Sequence, residues 1–93
     1  MASFTTRVEL HSASYLDYET LHEQMRKQGF SRRITSDDGL TYHLPTAEYN
    51  IELAASRSVV LDRAKAATRT TGKSASILVT ESSGRTWSNL DPV

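Results

Sequence analysis

The chain contains no cysteine, only two prolines and four glycines, and no excess of either charge. Each shortage excludes something. Without cysteine there is no disulfide framework, no thiolate nucleophile and no zinc site of the usual cysteine spacing, and a reducing compartment fits. So little glycine and proline leaves no fibrous or low-complexity segment. Eleven basic residues against eleven acidic ones cancel, so the long-range field that draws basic proteins to nucleic acid is missing. Any nucleic-acid contact must then be local, and no DNA partner is expected. No apolar stretch reaches signal-peptide or membrane-spanning length, which predicts a soluble cytoplasmic protein with no membrane partner.

What is present describes an ordinary globular protein: 93 residues, 38% apolar and 24% charged. That length supports one hydrophobic core and not two, so residues 1–93 are read as a single domain. Residues 4–11 alternate, with Phe4, Thr6, Val8 and Leu10 on one side and Thr5, Arg7, Glu9 and His11 on the other, as in a strand with one covered face. Ser14 to Asp17 supplies helix-start chemistry, and Tyr18, Leu21 and Met25 recur at helical spacing until Gly29 offers a left-handed stop. A helix over about 15–28 follows.

Phe30 and Ile34 alternate in a second strand, and Asp38-Gly39 is a strong hairpin turn before Leu40, Tyr42 and Leu44. Pro45 interrupts the ladder, after which Tyr49, Ile51 and Leu53 alternate on odd numbers, so a bulge or bend has to reset the register. Ser56 or Ser58 caps a second helix with an apolar stripe of Val60, Ala64 and Ala67, ending at Gly72. Residues 75–81 form a last strand, followed by a Ser83-Gly84 turn, a short strand around Thr86 and Trp87, and a frayed tail from Asn89 to Val93. The order β-α-β-β-α-β in about 80 residues is the split βαβ arrangement. It predicts an α+β, ferredoxin-like fold, an antiparallel sheet with both helices on one face.

If Phe4, Val8 and Leu10 face the helices, then Arg7 and His11 face the open side of the sheet, and the same alternation puts Arg33 and His43 there too. Two histidines and two arginines on one surface suit metal-free RNA cleavage, because imidazole exchanges protons near neutrality and guanidinium pairs with phosphate. The plainer reading is a solvated sheet face. His22, among Glu19, Glu23 and Arg26 on the first helix, reads as a member of a surface charge network. Arg32 and Arg33 can hold a phosphate but fall short of a basic patch. Asp37 and Asp38 suit either a hard cation or simple turn chemistry, the latter being commoner. Tyr42, Tyr49 and Trp87 are better placed for packing than for stacking on bases.

Three families are worth setting against this topology. The RNA-recognition motif stacks bases on aromatics of its central strands, and Thr5, Arg7 and Glu9 supply none. An acylphosphatase-like enzyme wants a phosphate-cradling loop after the first strand, and His11-Ser12-Ala13-Ser14 lacks its glycine and arginine. The stretch Tyr18 to Leu44, with Leu21, Met25, Gly29-Phe30-Ser31, Ile34, Asp37-Asp38-Gly39 and Leu44, resembles the small GhoS antitoxin family, as does Leu53-Ala54-Ala55-Ser56. That resemblance implies a ferredoxin-like endoribonuclease, the antitoxin of a type V toxin–antitoxin pair, cutting the single-stranded messenger RNA of a small membrane toxin. It also implies that the functional basic position of the first helix falls on His22. On this reading His11, His22 and His43 are the candidate catalytic residues and Arg7, Arg32 and Arg33 the candidate RNA contacts, with no metal or other cofactor. The competing expectation is a non-catalytic binding or regulatory module, a homodimer joined through the sheet face or an edge strand.

Overall fold

The computed structural model describes all of residues 1–93. Its elements are β1 (Ala2–Leu10), α1 (Tyr15–Lys27), β2 (Arg33–Thr35), β3 (Thr41–His43), β4 (Glu48–Leu53), α2 (Arg57–Arg69) and β5 (Ala75–Ser82). β1 is the centre of a three-stranded antiparallel sheet of order β4-β1-β5. The arrangement is the expected α+β, ferredoxin-like one. No helix is long and apolar enough to cross a membrane.

The alternation of β1 sets the sheet's two faces. Phe4, Thr6, Val8 and Leu10 are buried, and both helices pack on that side through Leu21, Met25, Val60, Ala64 and Ala67. Each helix starts where its cap dictates. Ser14 and Asp17 form a reciprocal capping box, with Asp17 N–H donating to Ser14 Oγ at 3.3 Å and Ser14 N–H to Asp17 Oδ2 at 2.9 Å. Ser56 caps α2 through the Val59 amide. Gln28 is the C-cap of α1, and Gly29 follows at φ +98°, a conformation that a side chain would strain. Arg63 of α2 then donates to the Gln28 carbonyl at 3.0 Å, tying the two helices together.

The hairpin differs from a simple fourth strand. Ser31 still pairs with Asn50 of β4, through two backbone hydrogen bonds of 2.7 Å. Arg32 is a bend, and from there β2 pairs only with β3, in a separate two-stranded ladder. The break expected at Pro45 is present: Ala47 adopts φ +68°, and its carbonyl accepts from the Val8 amide at 3.0 Å. That break does more than reset a register, because β3 and β4 end up in different sheets. Ile34 is buried outside the main core cluster, and Tyr42 meets Trp87 edge-on with ring centroids 5.4 Å apart. The hairpin thus carries a small apolar layer of its own.

The C-terminal segment corrects two expectations. Thr86 and Trp87 form no strand. The tail is not frayed, because Asp91 accepts from the His43 amide at 2.8 Å and the Val93 amide donates to the Thr41 carbonyl at 3.0 Å. A backbone edge on β3 was available, and the tail satisfies it. Arg85 fastens the start of this segment to the open sheet face, donating to Thr5 Oγ1 at 3.0 Å and to Asn50 Oδ1 at 2.8 Å.

Candidate functional site

The bend at Arg32 separates residues that strand alternation had put together. Arg7 stays on the open face of the main sheet, over a shallow depression lined by Glu9, Ser76, Ile77 and Leu78. His11 sits in the turn after β1, where both ring nitrogens are taken: Nδ1 lies 3.1 Å from Ser74 Oγ and Nε2 2.9 Å from Ser76 Oγ. Its ring also lies 3.9 Å from a Glu9 carboxylate oxygen. The shared surface of Arg7, His11, Arg33 and His43 predicted from alternation therefore does not form. The hairpin has turned Arg33 and His43 away from that face.

The structure brings a different set together. His22, Glu19, Glu23 and Arg26 of α1 form one wall of a groove of about 680 Å³, and Arg32, Arg33, His43 and Leu44 form the other. Arg33 and His43 are opposed across β2 and β3. The flanking pair Arg32–Leu44 carries the hydrogen bond, so Arg33–His43 is the narrow, non-hydrogen-bonded pair whose side chains stand closest. Arg26 is held by Glu23, with Nε 3.0 Å from Oε2. The ion pairs between charged side chains are Glu23–Arg26 and Asp17–Lys73, and neither Arg32 nor Arg33 contacts a carboxylate. Two guanidiniums and one imidazole thus line the hairpin wall with no carboxylate bound to them.

His22 is anchored at the bottom of this arrangement. Its Nδ1 lies 2.6 Å from the Tyr49 hydroxyl, and Tyr49 is 1% exposed. Burial pushes the Tyr49 phenol above its ordinary range. Burial, reinforced by the Arg32 charge, holds His22 below the usual histidine value. Both groups are therefore neutral at neutral pH. A buried phenol O–H needs an acceptor, and His22 Nδ1 is the one it has, which assigns the proton of the neutral ring to Nε2. In this tautomer His22 offers a donor and no free base. His43 has no such side-chain partner.

Asp37 and Asp38 do not form a cation site with a third ligand, since no three His, Asp or Glu side chains converge. Asp38 is engaged in the turn: its carboxylate accepts from the Ser36 hydroxyl and from the Leu40 amide. The Ser36 hydrogen bond holds its pKa below the ordinary value. Sequence reasoning placed Arg26 in the charge network around His22, as found, and missed Arg85 and the Tyr49 hydroxyl. Tyr49 was legible as a core residue from its odd-numbered alternation with Ile51, and a tyrosine in a core carries a hydroxyl that has to be satisfied. Neither a family model nor a curated protein matches this chain.

Proposed function

We propose that the groove between α1 and the β2–β3 hairpin takes the phosphodiester backbone of single-stranded RNA and cleaves it without a metal. The observation that carries this reading is the juxtaposition of His43 with Arg32 and Arg33, two unpaired guanidiniums, opposite His22. Guanidinium suits phosphate oxygens by its paired donors. In the proposed step His43 accepts the proton of a ribose 2′-hydroxyl as its oxygen bonds to phosphorus. The P–O5′ bond breaks, leaving a 2′,3′-cyclic phosphate, and the 5′-oxygen takes a proton from water. Arg32 and Arg33 offset the charge on the non-bridging oxygens, and the Nε2–H of His22 adds a neutral donor. His11 and Arg7, each engaged elsewhere or remote, have no part.

A GhoS-like antitoxin, cytoplasmic and directed at the messenger of a small membrane toxin, is the biological form of this reading. Its support is the motif resemblance between Tyr18 and Leu44. A non-catalytic RNA-binding or regulatory module is favoured by one observation: the only histidine fixed in the groove by a hydrogen bond is also held neutral there, and so resembles a binding group more than a proton shuttle.

Labelled single-stranded RNA, incubated with and without EDTA, separates these readings. Cleavage that survives EDTA, falls by about 100-fold or more in His43→Ala and is unchanged in His11→Ala supports the nuclease. Binding without cleavage, with a log K against log salt slope that shrinks by about 0.7 in Arg33→Ala, supports the module. Folded protein that neither binds nor cleaves overturns both.

A further inference from the structure

The outer edge of β5 is a long, unprotected strand edge. β1 and β5 pair from Ser3↔Ser82 to Leu10↔Ala75, and the His11 amide continues the ladder by donating to the Ser74 carbonyl at 2.9 Å. In an antiparallel ladder hydrogen-bonded pairs alternate, so the even residues Ser74, Ser76, Leu78, Thr80 and Ser82 spend their backbone groups on β1. The amides and carbonyls of Ala75, Ile77, Val79 and Glu81 point outward, and none of them bonds a turn, loop or cap. Eight residues with one charge, no proline and no bulge make an edge that lacks the usual guards against strand pairing.

We infer that this edge pairs with the same edge of a second copy, antiparallel, about a two-fold axis at Leu78. In that register Ile77 pairs with Val79 and Ala75 with Glu81, so all four outward residues of each copy are used. Leu78, which is 63% exposed in the single chain, meets Leu78 of the second copy as a narrow pair, covering an apolar side chain that is otherwise open to water. The charges agree with this occupant. Glu81 lands beside Ala75 of the second copy, next to the bend that holds Lys73, whose ammonium lies 3.9 Å from Asp17 within its own chain. Lys65 and Arg69 of α2 line the adjoining groove with Lys73, so the incoming carboxylate meets a cationic rim.

The result is a continuous six-stranded sheet. β5 and β4 flank β1 on opposite sides, so the pairing leaves the α1–hairpin groove of each copy at a far end. The inference does not depend on what that groove binds.

Sedimentation equilibrium of the full chain across a concentration series tests it, with amide hydrogen exchange as the second reading. A mass rising from 10.4 kDa toward twice that value, with Ile77 and Val79 amides protected along with their even neighbours, is expected. Leu78→Lys sets two ammonium groups against each other on a solvent-facing position, so the monomer fold survives and the dimer weakens by about tenfold or more. Glu81→Lys, which sets a cation against the Lys65 and Arg69 rim of the second copy, weakens it as well. A constant monomer mass up to about 1 mM overturns the inference. A dimer indifferent to Leu78→Lys, or one whose Ile77 and Val79 amides exchange freely, also overturns it.

Discussion

Replacing Tyr49 by phenylalanine isolates the contact on which the groove's histidine rests. The ring stays, with its edge-on packing against Phe30 at a centroid distance of 6.4 Å, and only the hydroxyl bonded to His22 Nδ1 is lost. The deleted group is buried, but its partner is half-buried and its freed nitrogen can bond water. The cost therefore falls near that of one ordinary net hydrogen bond, about 1 kcal/mol, well short of the penalty for orphaning an enclosed group. In a chain of this size that corresponds to a fall in Tm of about 4–8 °C. Denaturant titration reads the stability, and nitrogen chemical shifts of the imidazole read the tautomer. Wild type should hold its proton on Nε2, and Tyr49→Phe should give a mixture of tautomers, because the only group that fixed Nδ1 as acceptor has gone. A wild-type ring protonated on Nδ1 would refute the argument. So would a loss of about 3 kcal/mol or more, a magnitude typical of lost core packing.

Two further perturbations follow from buried polar groups. Thr6 is fully buried on the core side of β1 and its hydroxyl has no partner, so Thr6→Val, which keeps the shape, should raise stability by about 1 kcal/mol; a destabilised variant in a thermal melt would mean that the hydroxyl is bonded. His22, held below the histidine value of 6.5 by burial and then by Arg32, binds its proton more readily in the unfolded chain than in the folded one. Its contribution to stability is therefore full above 6.5 and is lost as the pH falls through that value toward the folded pKa. Denaturation midpoints on either side of 6.5 should drop on the acid side in wild type and less so in His22→Gln, and equal slopes in the two proteins would remove His22 as the cause.

The fold was legible wherever one local rule acted alone. Alternation from Phe4 to Leu10 picked out the core face of β1, including Thr6, and the spacing of Leu21 and Met25, with Ser14, Asp17 and Gly29, bounded α1. Val60, Ala64 and Ala67 did the same for α2. The candidate site was less legible, because its composition depends on where the hairpin points. Alternation treats β2 and β3 as extensions of the main sheet, and on that assumption Arg33 and His43 join Arg7 and His11. The assumption fails at Arg32 and again between Pro45 and Ala47. The tail was misjudged for a related reason: Asp91 and Val93 carry no sequence signal for pairing, and they pair because β3, detached from the main sheet, leaves an edge to be satisfied.

The same bend accounts for the local charge that a neutral composition withholds. Consecutive residues of a regular strand point to opposite faces, so Arg32 and Arg33 in an unbroken β2 could not share a groove. With Arg32 at the bend, the Ser31 hydroxyl receives the Arg33 amide at 3.1 Å, and both arginines line the wall facing α1. Ile34 and Tyr42 are then the hairpin residues left on its other side, and Trp87 is needed to cover them. The groove, the small apolar layer and the ordered C-terminus are thus consequences of one departure from strand geometry. A chain with no net charge obtains two adjacent unpaired cations by changing direction between them.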